Sequence, residues 1–178
     1  MPGLPVFRVA DLDQNAPTPF DLRPDAATTA ALAEELGLLG LRKLSFAGQI
    51  AAAGSRDFVL TGTLGATVVQ PCVVTLDPVT TRIDTAVRRT YLANMPEVTG
   101  DEVEMPEDDT QEPLPAVIDP AAVMAEALAL ALPLYPRKAD AALDEANFAE
   151  PGTEALTDET AKPFAGLAGL RDRLEGKE

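Results

Sequence analysis

Hydrophobic residues recur at helical spacing near the start of the chain. Leu32, Leu36 and Leu39 stand four and then three residues apart, which places them on one stripe of a helix. The pattern predicts a helix over residues 24–39. Pro24 begins it, because the fixed backbone angle of proline suits the first helical position.

Between residues 41 and 92 apolar and polar positions alternate, which is typical of strands. The clearest alternation lies over residues 82–92. Pro71 interrupts an earlier run, and we expect it at a sheet edge or a bulge because proline cannot donate to a ladder. The other predicted strands cover residues 6–12, 44–50, 57–64 and 66–76, with a turn over 15–19.

A second helix is predicted over residues 119–132. The Asp119 side chain is of the type that caps a helix, and Pro120 suits the first helical position after it. Pro133 ends the helix because it breaks the backbone hydrogen-bond pattern. Glu126 stands in the middle of this apolar stretch, which leaves two interpretations open: a pair with an arginine of the sheet, or a binding role.

Two acidic segments flank the second helix. Residues 95–115 carry eight carboxylates, four prolines and no basic residue, which predicts a solvated loop. Residues 139–178 are predicted to form a mostly disordered acidic tail. Within that tail, residues 163–174 have amphipathic helical spacing, so this segment either folds back on the domain or binds a partner.

Together the elements predict an α+β fold. Closely spaced strands with short connections favour a curled, barrel-like antiparallel sheet that carries the two packed helices. Residues 1–138 are expected to form one domain, and residues 139–178 its tail.

Charge is unevenly distributed along the chain. The net charge is −15 over 178 residues, yet residues 41–92 carry six basic and three acidic groups, a net of +3. The acidic total opposes nonspecific binding to nucleic acid. Any contact with RNA would therefore use this basic region, or would be made through a protein partner.

The chemistry-bearing residues are few. The chain has no histidine and only one cysteine, which excludes His-dependent catalysis, internal disulfides and CxxC zinc sites. We therefore predict no catalytic, cofactor-binding or metal-binding residues and no enzyme activity. The single thiol without a disulfide framework fits the cytoplasm, and the start of the chain lacks the pattern of a signal peptide.

Cys72 itself permits two interpretations. A reactive cysteine needs a cationic neighbour, a helix N-terminus or a base, whereas the sequence neighbours of Cys72 are Pro71 and Val73. A buried strand cysteine is favoured over a reactive thiol.

Basic side chains are the candidates for binding. Arg82 and Arg88 fall on one face of their predicted strand and Arg89 on the other. With Arg137 and Lys138, they are candidate contacts for RNA or a partner, and the alternative is ordinary solvated charge. Aromatic residues make up only 4% of the chain, so few rings are available for base stacking.

A set of short motifs resembles the YceD family, bacterial and plastid proteins linked to accumulation of the large ribosomal RNA. A cysteine, a threonine and an acidic-proline turn come first, followed by an acidic insertion, a capped helix with a glutamate and a Leu-Pro exit. A final Pro-Phe-x-x-Leu-x-x-Leu lies at 163–170. The matching positions are Cys72, Thr75, Pro78, Asp119, Glu126, Pro133 and Pro136.

The chain departs from this family at two places. Many members have a second cysteine close to the first, and a histidine and cysteines after the Leu-Pro exit. This chain has Val73, Val74 and Thr75 at the first place and Arg137 and Lys138 at the second. A metal or redox role at those positions is not possible here in the same form.

The resemblance implies a non-enzymatic factor for biogenesis of the large ribosomal subunit, which supports processing or accumulation of its large RNA. The expected partner is that RNA, or a ribosomal or assembly protein, with no membrane and no DNA. The alternative is an adaptor that binds a basic protein through the acidic loop and tail without touching RNA.

Overall fold

The computed structural model describes residues 4–95, 110–142 and residue 150. The chain divides into two compact units, Met1–Ala139 and Asp140–Glu178. In chain order the described elements are β1 (Phe7–Arg8), a 3-10 turn (Val9–Asp11), β2 (Thr18–Leu22), α1 (Ala26–Glu35), β3 (Gly40–Ala53), β4 (Asp57–Pro71), β5 (Pro78–Leu92), β6 (Gln111–Pro113), β7 (Val117–Ile118) and α2 (Pro120–Ala131).

Five of the strands form one sheet in the order β2-β3-β4-β5-β6. The first four are antiparallel neighbours, and β6 adds to β5 in the parallel direction. Strands β1 and β7 form a separate antiparallel pair. The predicted α+β class is confirmed, but β2 and β6 are free edges among the described strands, so the expected barrel-like closure is not confirmed.

The core lies on one face of this sheet, because successive strand residues point to opposite faces. In β4, the alternate residues Phe58, Leu60, Leu64, Ala66 and Val68 are buried. Both helices contribute to the same hydrophobic cluster, α1 through Leu32 and Ala33, and α2 through a larger apolar face. The α2 members of the core are Ala121, Val123, Met124, Ala127 and Leu128.

A bulge in β3 sets which of its residues enter the core. The pairing of β3 with β4 shifts register between Arg42 and Ser45, and Lys43 has a positive φ of 51°. The extra residue resets the alternation, so Leu41 and Leu44 are both buried although they stand three apart.

Aspartates cap both helices. The Asp25 side chain accepts a hydrogen bond from the Thr28 amide, so α1 begins two residues after the predicted Pro24. The Asp119 side chain accepts from Ala121 N at 2.9 Å and from Ala122 N at 3.3 Å, which confirms the predicted cap of α2.

Several predicted boundaries are wrong, including that of α1, which ends at Glu35 and not at residue 39. The strand expected over residues 6–12 is confined to β1, and the turn expected over 15–19 overlaps β2 because Thr18–Leu22 pairs with β3. The strands expected over 57–64 and 66–76 are joined in one continuous strand, β4, which ends at Pro71, so residues 72–76 are not in a strand. Gly65 does not interrupt it, because this residue pairs with Ser45 of β3 and Asp84 of β5.

Two further expectations change where chain segments meet. Pro71 occupies neither an edge strand nor a bulge, but the last position of the central strand β4, opposite Pro78 of β5. The loop predicted over 95–115 contains β6, which forms because the Thr90 amide of β5 donates to the Thr110 carbonyl at 2.8 Å. The rest of that acidic loop, at 96–109, lies outside the described residues, as do 143–149 and 151–178 of the predicted tail.

Candidate functional site

Cys72 lies just beyond the end of β4, in a tight turn that leads into β5. The Cys72 amide donates to the Asp77 carbonyl at 2.7 Å, and the Leu76 amide donates to the Cys72 carbonyl at 2.9 Å. Leu76 takes a positive φ of 61°, which closes the turn. Cys72 is fully buried, as predicted, but it belongs to this turn and not to a strand.

The segment that follows α2 is hydrogen-bonded to this turn. We call the two segments together, residues 70–77 and 133–138, the Cys72 clip. Its cross-contacts are Gln70 Nε2 to the Pro133 carbonyl at 3.3 Å, Val73 N to the Pro136 carbonyl at 2.9 Å, Lys138 N to Cys72 Sγ at 3.5 Å, and Lys138 Nζ to Asp77 Oδ2 at 2.9 Å.

The clip brings together motif positions that are about 60 residues apart in the chain. Cys72, Thr75 and Pro78 stand on one side, and Pro133 and Pro136 on the other. Pro136 is buried against the turn, although its sequence neighbours on both sides are exposed. The motif positions around Cys72 and those after α2 therefore form one packed unit.

Hydrogen bonds lower the pKa of the Cys72 thiol to about 6. The Thr75 hydroxyl makes the largest contribution, followed by the Lys138 amide, and together these donors outweigh the burial that disfavours a charged sulfur. Lys138 does not contact the sulfur with its ammonium group, which binds Asp77 and lowers the pKa of that carboxyl. The sequence contained Thr75 as a motif position but did not indicate this role.

A thiolate titration tests the clip. Followed by ultraviolet absorbance, Cys72 should ionise near pH 6, and Thr75→Val should move the midpoint upward because the strongest donor is lost. Since an unfolded thiol has a pKa of about 8.5, the folded chain binds fewer protons above pH 6. The stability of the wild type relative to Cys72→Ala should therefore rise from about pH 6 to about pH 8.5.

The matched control for this titration is Thr80→Val, which removes an exposed threonine hydroxyl near the start of β5. It should leave the midpoint unchanged. A wild-type midpoint at the ordinary thiol value, insensitive to Thr75→Val, would contradict the hydrogen-bonded arrangement.

Arg89 joins three elements on the core side of the sheet. Its side chain is only 12% exposed, and its Nη2 donates to Oε1 of Glu126 on α2. Its Nε lies 3.0 Å from Oε1 of Glu112 on β6, an ion-pair contact without the alignment of a hydrogen bond. The predicted pair between Glu126 and an arginine of the sheet is confirmed. Arg89 is thus engaged by carboxylates and is not free for a phosphate in this conformation.

The opposite face of the sheet carries Arg82 and Arg88, and neither helix covers it. Arg82 binds both carboxylate oxygens of Asp84 on the same strand, which raises the pKa of Arg82 and lowers that of Asp84. Arg88 is exposed and, among the described residues, has no ion-pair partner. The same holds for Arg42 of β3, which stands in one cross-strand row with Thr67 and Arg82.

Strand geometry sets the spacing of this arginine face, which we define as Arg42, Arg82 and Arg88. Arg42 and Arg82 are two strands apart, or about 10 Å, and Arg82 and Arg88 are six residues apart along β5, or about 20 Å. Small and polar side chains lie between them, including Thr63 and Thr67. The face is therefore open and carries separated cations.

The clip also presents apolar side chains to solvent. Leu76 is 76% exposed, Leu134 86% and Tyr135 79%, and Val73 is about half exposed. All four belong to the two segments that the cross-contacts hold together, and we call this set of side chains the clip patch. Arg137 and Lys138 lie beside it, exposed, with Lys138 already paired to Asp77. Sequence reasoning missed Leu134 and Tyr135, since nothing in their spacing shows that the turn lies against them.

No group of three or more Cys, Asp or Glu side chains among the described residues is arranged to hold a metal ion. One groove, of about 760 Å³, lies between α1 and β3 and is lined mainly by aliphatic residues, together with Arg42, Lys43 and Glu34. Neither described helix is long and apolar enough to cross a bilayer.

Comparison with known families identifies the chain. The profile of the large ribosomal RNA subunit accumulation protein YceD matches residues 60–171, more than half of the length. The chain belongs to the YceD family. The matched range includes most of β4, all of β5, α2 and both halves of the Cys72 clip.

The YceD name associates the family with accumulation of the large ribosomal RNA. Neither the curated proteins nor the solved structures contain a significant match to the chain. The YceD motif at residues 163–170 lies outside the described residues, as does the longer segment 163–174.

Proposed function

We propose that this chain is a non-enzymatic factor for biogenesis of the large ribosomal subunit, which supports processing or accumulation of the large ribosomal RNA. Membership of the YceD family over residues 60–171 carries the proposal. A cytoplasmic location follows from this role, and the lone buried thiol fits a reducing compartment.

The arginine face supports direct contact with RNA. Arg42 and Arg88 are exposed and have no ion-pair partner among the described residues, so binding a phosphate would break no ion pair there. The described residues contain ten basic and fourteen acidic side chains, a net of −4, whereas the whole chain carries −15. Most of the charge that opposes RNA therefore belongs to residues outside the described part.

A second candidate function is the protein adaptor. The clip patch favours it, because an exposed cluster of aliphatic residues with a tyrosine is typical of a protein interface. In this case the chain acts on ribosomal RNA through a ribosomal or assembly protein. The acidic loop would attract a basic partner, and the clip patch would supply the apolar contact.

Depletion of the protein in its own host tests the proposed function. We expect a selective fall in large-subunit RNA and particles relative to the small subunit, measured by sucrose gradients and quantification of both RNAs. Wild-type chain should restore the ratio. An unchanged ratio after depletion would overturn the role in large-subunit biogenesis.

Complementation with surface variants separates the two candidates. If RNA binds the arginine face, the double variant Arg42→Ala with Arg88→Ala should fail to restore the ratio, and Arg8→Ala with Arg23→Ala should succeed as a control of equal charge. Filter binding to large-subunit RNA should also show a salt slope that is lower by roughly 0.7 per lost phosphate contact for single strands. If only Leu134→Ser with Tyr135→Ser fails, the adaptor function is supported instead.

A further inference from the structure

Within the part of the chain that the structure describes, the side of β5 that faces away from β4 is largely uncovered. Strand β5 pairs with β4 over nearly its whole length, from Pro78 to Tyr91. On its other side, β6 covers only Thr90, Tyr91 and Leu92. Among the described residues no strand pairs with the remaining edge, residues 79–89. Such an edge presents backbone donors and acceptors that an added strand would satisfy.

The contacts with β6 show which residues use this edge. The Thr90 amide donates to the Thr110 carbonyl, and the Leu92 carbonyl accepts from the Leu114 amide at 2.9 Å. Backbone groups alternate sides along a strand, so even-numbered residues point theirs to the free edge and odd-numbered residues to β4. The even-numbered residues on the uncovered stretch are Thr80, Arg82, Asp84, Ala86 and Arg88.

A groove runs beside this edge on the core side of the sheet. It has a volume of about 380 Å³ and lies between β5 and α2. Its apolar lining includes Val87, Ala127, Leu130 and Ala131, and Leu130 is 76% exposed. A strand added next to β5 would direct every second side chain into this groove, where an aliphatic residue would cover Leu130.

The other face of an added strand would meet the arginine face. Arg88 is exposed without an ion-pair partner in the described part of the chain, whereas Arg82 is already bound to Asp84. An acidic residue opposite Arg88 would form a favourable cross-strand pair. Because Val87 and Arg88 are adjacent, the aliphatic and acidic positions of the added strand would also be adjacent.

We propose that the free edge of β5 binds an extended segment of a partner protein, which adds a strand in line with β6. The segment carries an aliphatic residue for the groove beside Val87 and, next to it, an acidic residue for Arg88. This inference goes beyond the proposed function and does not depend on contact with RNA. It assigns β5 an interaction that uses backbone hydrogen bonds.

The alternation of backbone amides between the two sides of β5 provides a selective variant. Ala86→Pro removes an amide that faces the free edge, and it leaves the hydrogen bonds to β4 intact, so the variant should fold. Val87→Pro removes an amide that faces β4 and should disrupt the sheet. This variant tests whether the odd-numbered amides face β4. Ala86→Val keeps the amide at the same position and is the matched control for binding.

Residue-resolved hydrogen exchange on the full chain tests the proposal. The probe is a synthetic acetylated peptide, Thr-Val-Thr-Leu-Glu-Val-Thr, with the leucine next to the glutamate as the groove and Arg88 require. In the free chain the amides of Arg82, Asp84, Ala86 and Arg88 should exchange fast, and those of Ile83, Thr85, Val87 and Arg89 slowly. The probe should protect the first set, and Ala86→Pro should weaken its binding at least tenfold while Ala86→Val should not.

Three outcomes would overturn the proposal. In the first, the peptide does not protect the even-numbered amides. In the second, these amides are already protected in the free chain at every protein concentration, which means that the chain covers its own edge. Alternatively, protection rises with protein concentration without peptide, which means that a second copy occupies the edge. None of these results changes the ratio of ribosomal RNAs on depletion, so the two proposals fail separately.

Discussion

Replacing Gly48 with alanine should lower the free energy of unfolding by about 3 kcal/mol, the upper part of the usual range for overpacking. A Cβ atom at this position would lie 2.0 Å from the Thr61 carbonyl oxygen and 2.5 Å from the Gly62 Cα atom. Both are backbone atoms of β4, which is held by β3 on one side and β5 on the other. The strain cannot be relieved by rotating a side chain.

The same position also borders the aromatic pair of the core. The added Cβ would stand 2.9 Å from Cζ of Phe20, whose ring centroid lies 5.0 Å from that of Phe46. Gly62, the register partner of Gly48, leaves room for the Phe46 ring in the same way. Two glycines facing each other across β3 and β4 therefore let the strands approach closely beside the phenylalanines.

Gly40→Ala is the matched control, since it makes the same change in the same strand. Its nearest contact would be an ordinary 3.5 Å to Val69 Cγ2, so stability should stay equal or rise by up to about 1 kcal/mol. Urea unfolding followed by far-ultraviolet circular dichroism measures both variants, which suits a chain without tryptophan. Equal midpoints for Gly48→Ala and Gly40→Ala would show that β3 and β4 are not so close at Gly48.

Replacing Arg89 with methionine should cost about 2 kcal/mol of unfolding free energy, a typical value for losing hydrogen bonds between charged groups. The guanidinium holds β5 to Glu112 of β6 and to Glu126 of α2. Both carboxylates are about half exposed, so water compensates part of the loss, and the cost stays below that of breaking a fully buried pair. Methionine keeps the apolar length of the side chain.

Arg88→Met is the control for this variant, because it removes the same charge from the adjacent residue on the opposite face. It should change stability by no more than about 0.5 kcal/mol. A double-mutant cycle with Glu126→Gln then isolates the contribution of the Arg89–Glu126 pair. If the urea midpoints of Arg89→Met and Arg88→Met coincide, Arg89 does not join the elements as described.

The burial of Tyr91 adds a dependence on alkaline pH. Desolvation, with a further contribution from the nearby Glu112, raises the pKa of Tyr91 to about 12. The folded pKa lies above the unfolded value of about 10, so the folded chain keeps the phenol proton at pH values where the unfolded chain has lost it. The contribution of Tyr91 to stability is therefore complete below about pH 10 and is lost as the pH rises toward 12.

Local patterns were sufficient for the start of α2 and for the assignment of β5 side chains to the two sheet faces, but α1 ends at Glu35 and the predicted helix ended at residue 39. Asp119 followed by Pro120 is typical of a helix cap followed by the first helical residue, and α2 begins at these residues. Successive side chains of a strand point to opposite faces, which placed Arg82 and Arg88 on one face of β5 and Arg89 on the other. The opposing faces explain why Arg89 pairs with Glu126 while Arg88 remains in solvent.

Strand ends were less predictable because they depend on neighbours. Gly65 and Pro71 are typical breaks in a sequence, yet β4 continues through Gly65 and ends only at Pro71, since β3 and β5 pair with it on both sides. Residues 111–113 resemble an acidic loop, and they become β6 only because the end of β5 offers unpaired backbone groups.

The sequence by itself determined the α+β class, the start of α2, the facing of the arginines and the YceD resemblance, because each depends on residues close together in the chain. Only the tertiary structure decided that the segment after α2 is hydrogen-bonded to Cys72, that carboxylates bind Arg89, and that no described strand pairs with residues 79–89 of β5 on the side away from β4. These features arise where segments distant in sequence compete for the same backbone groups and charges. Spacing along one chain does not encode the outcome of that competition.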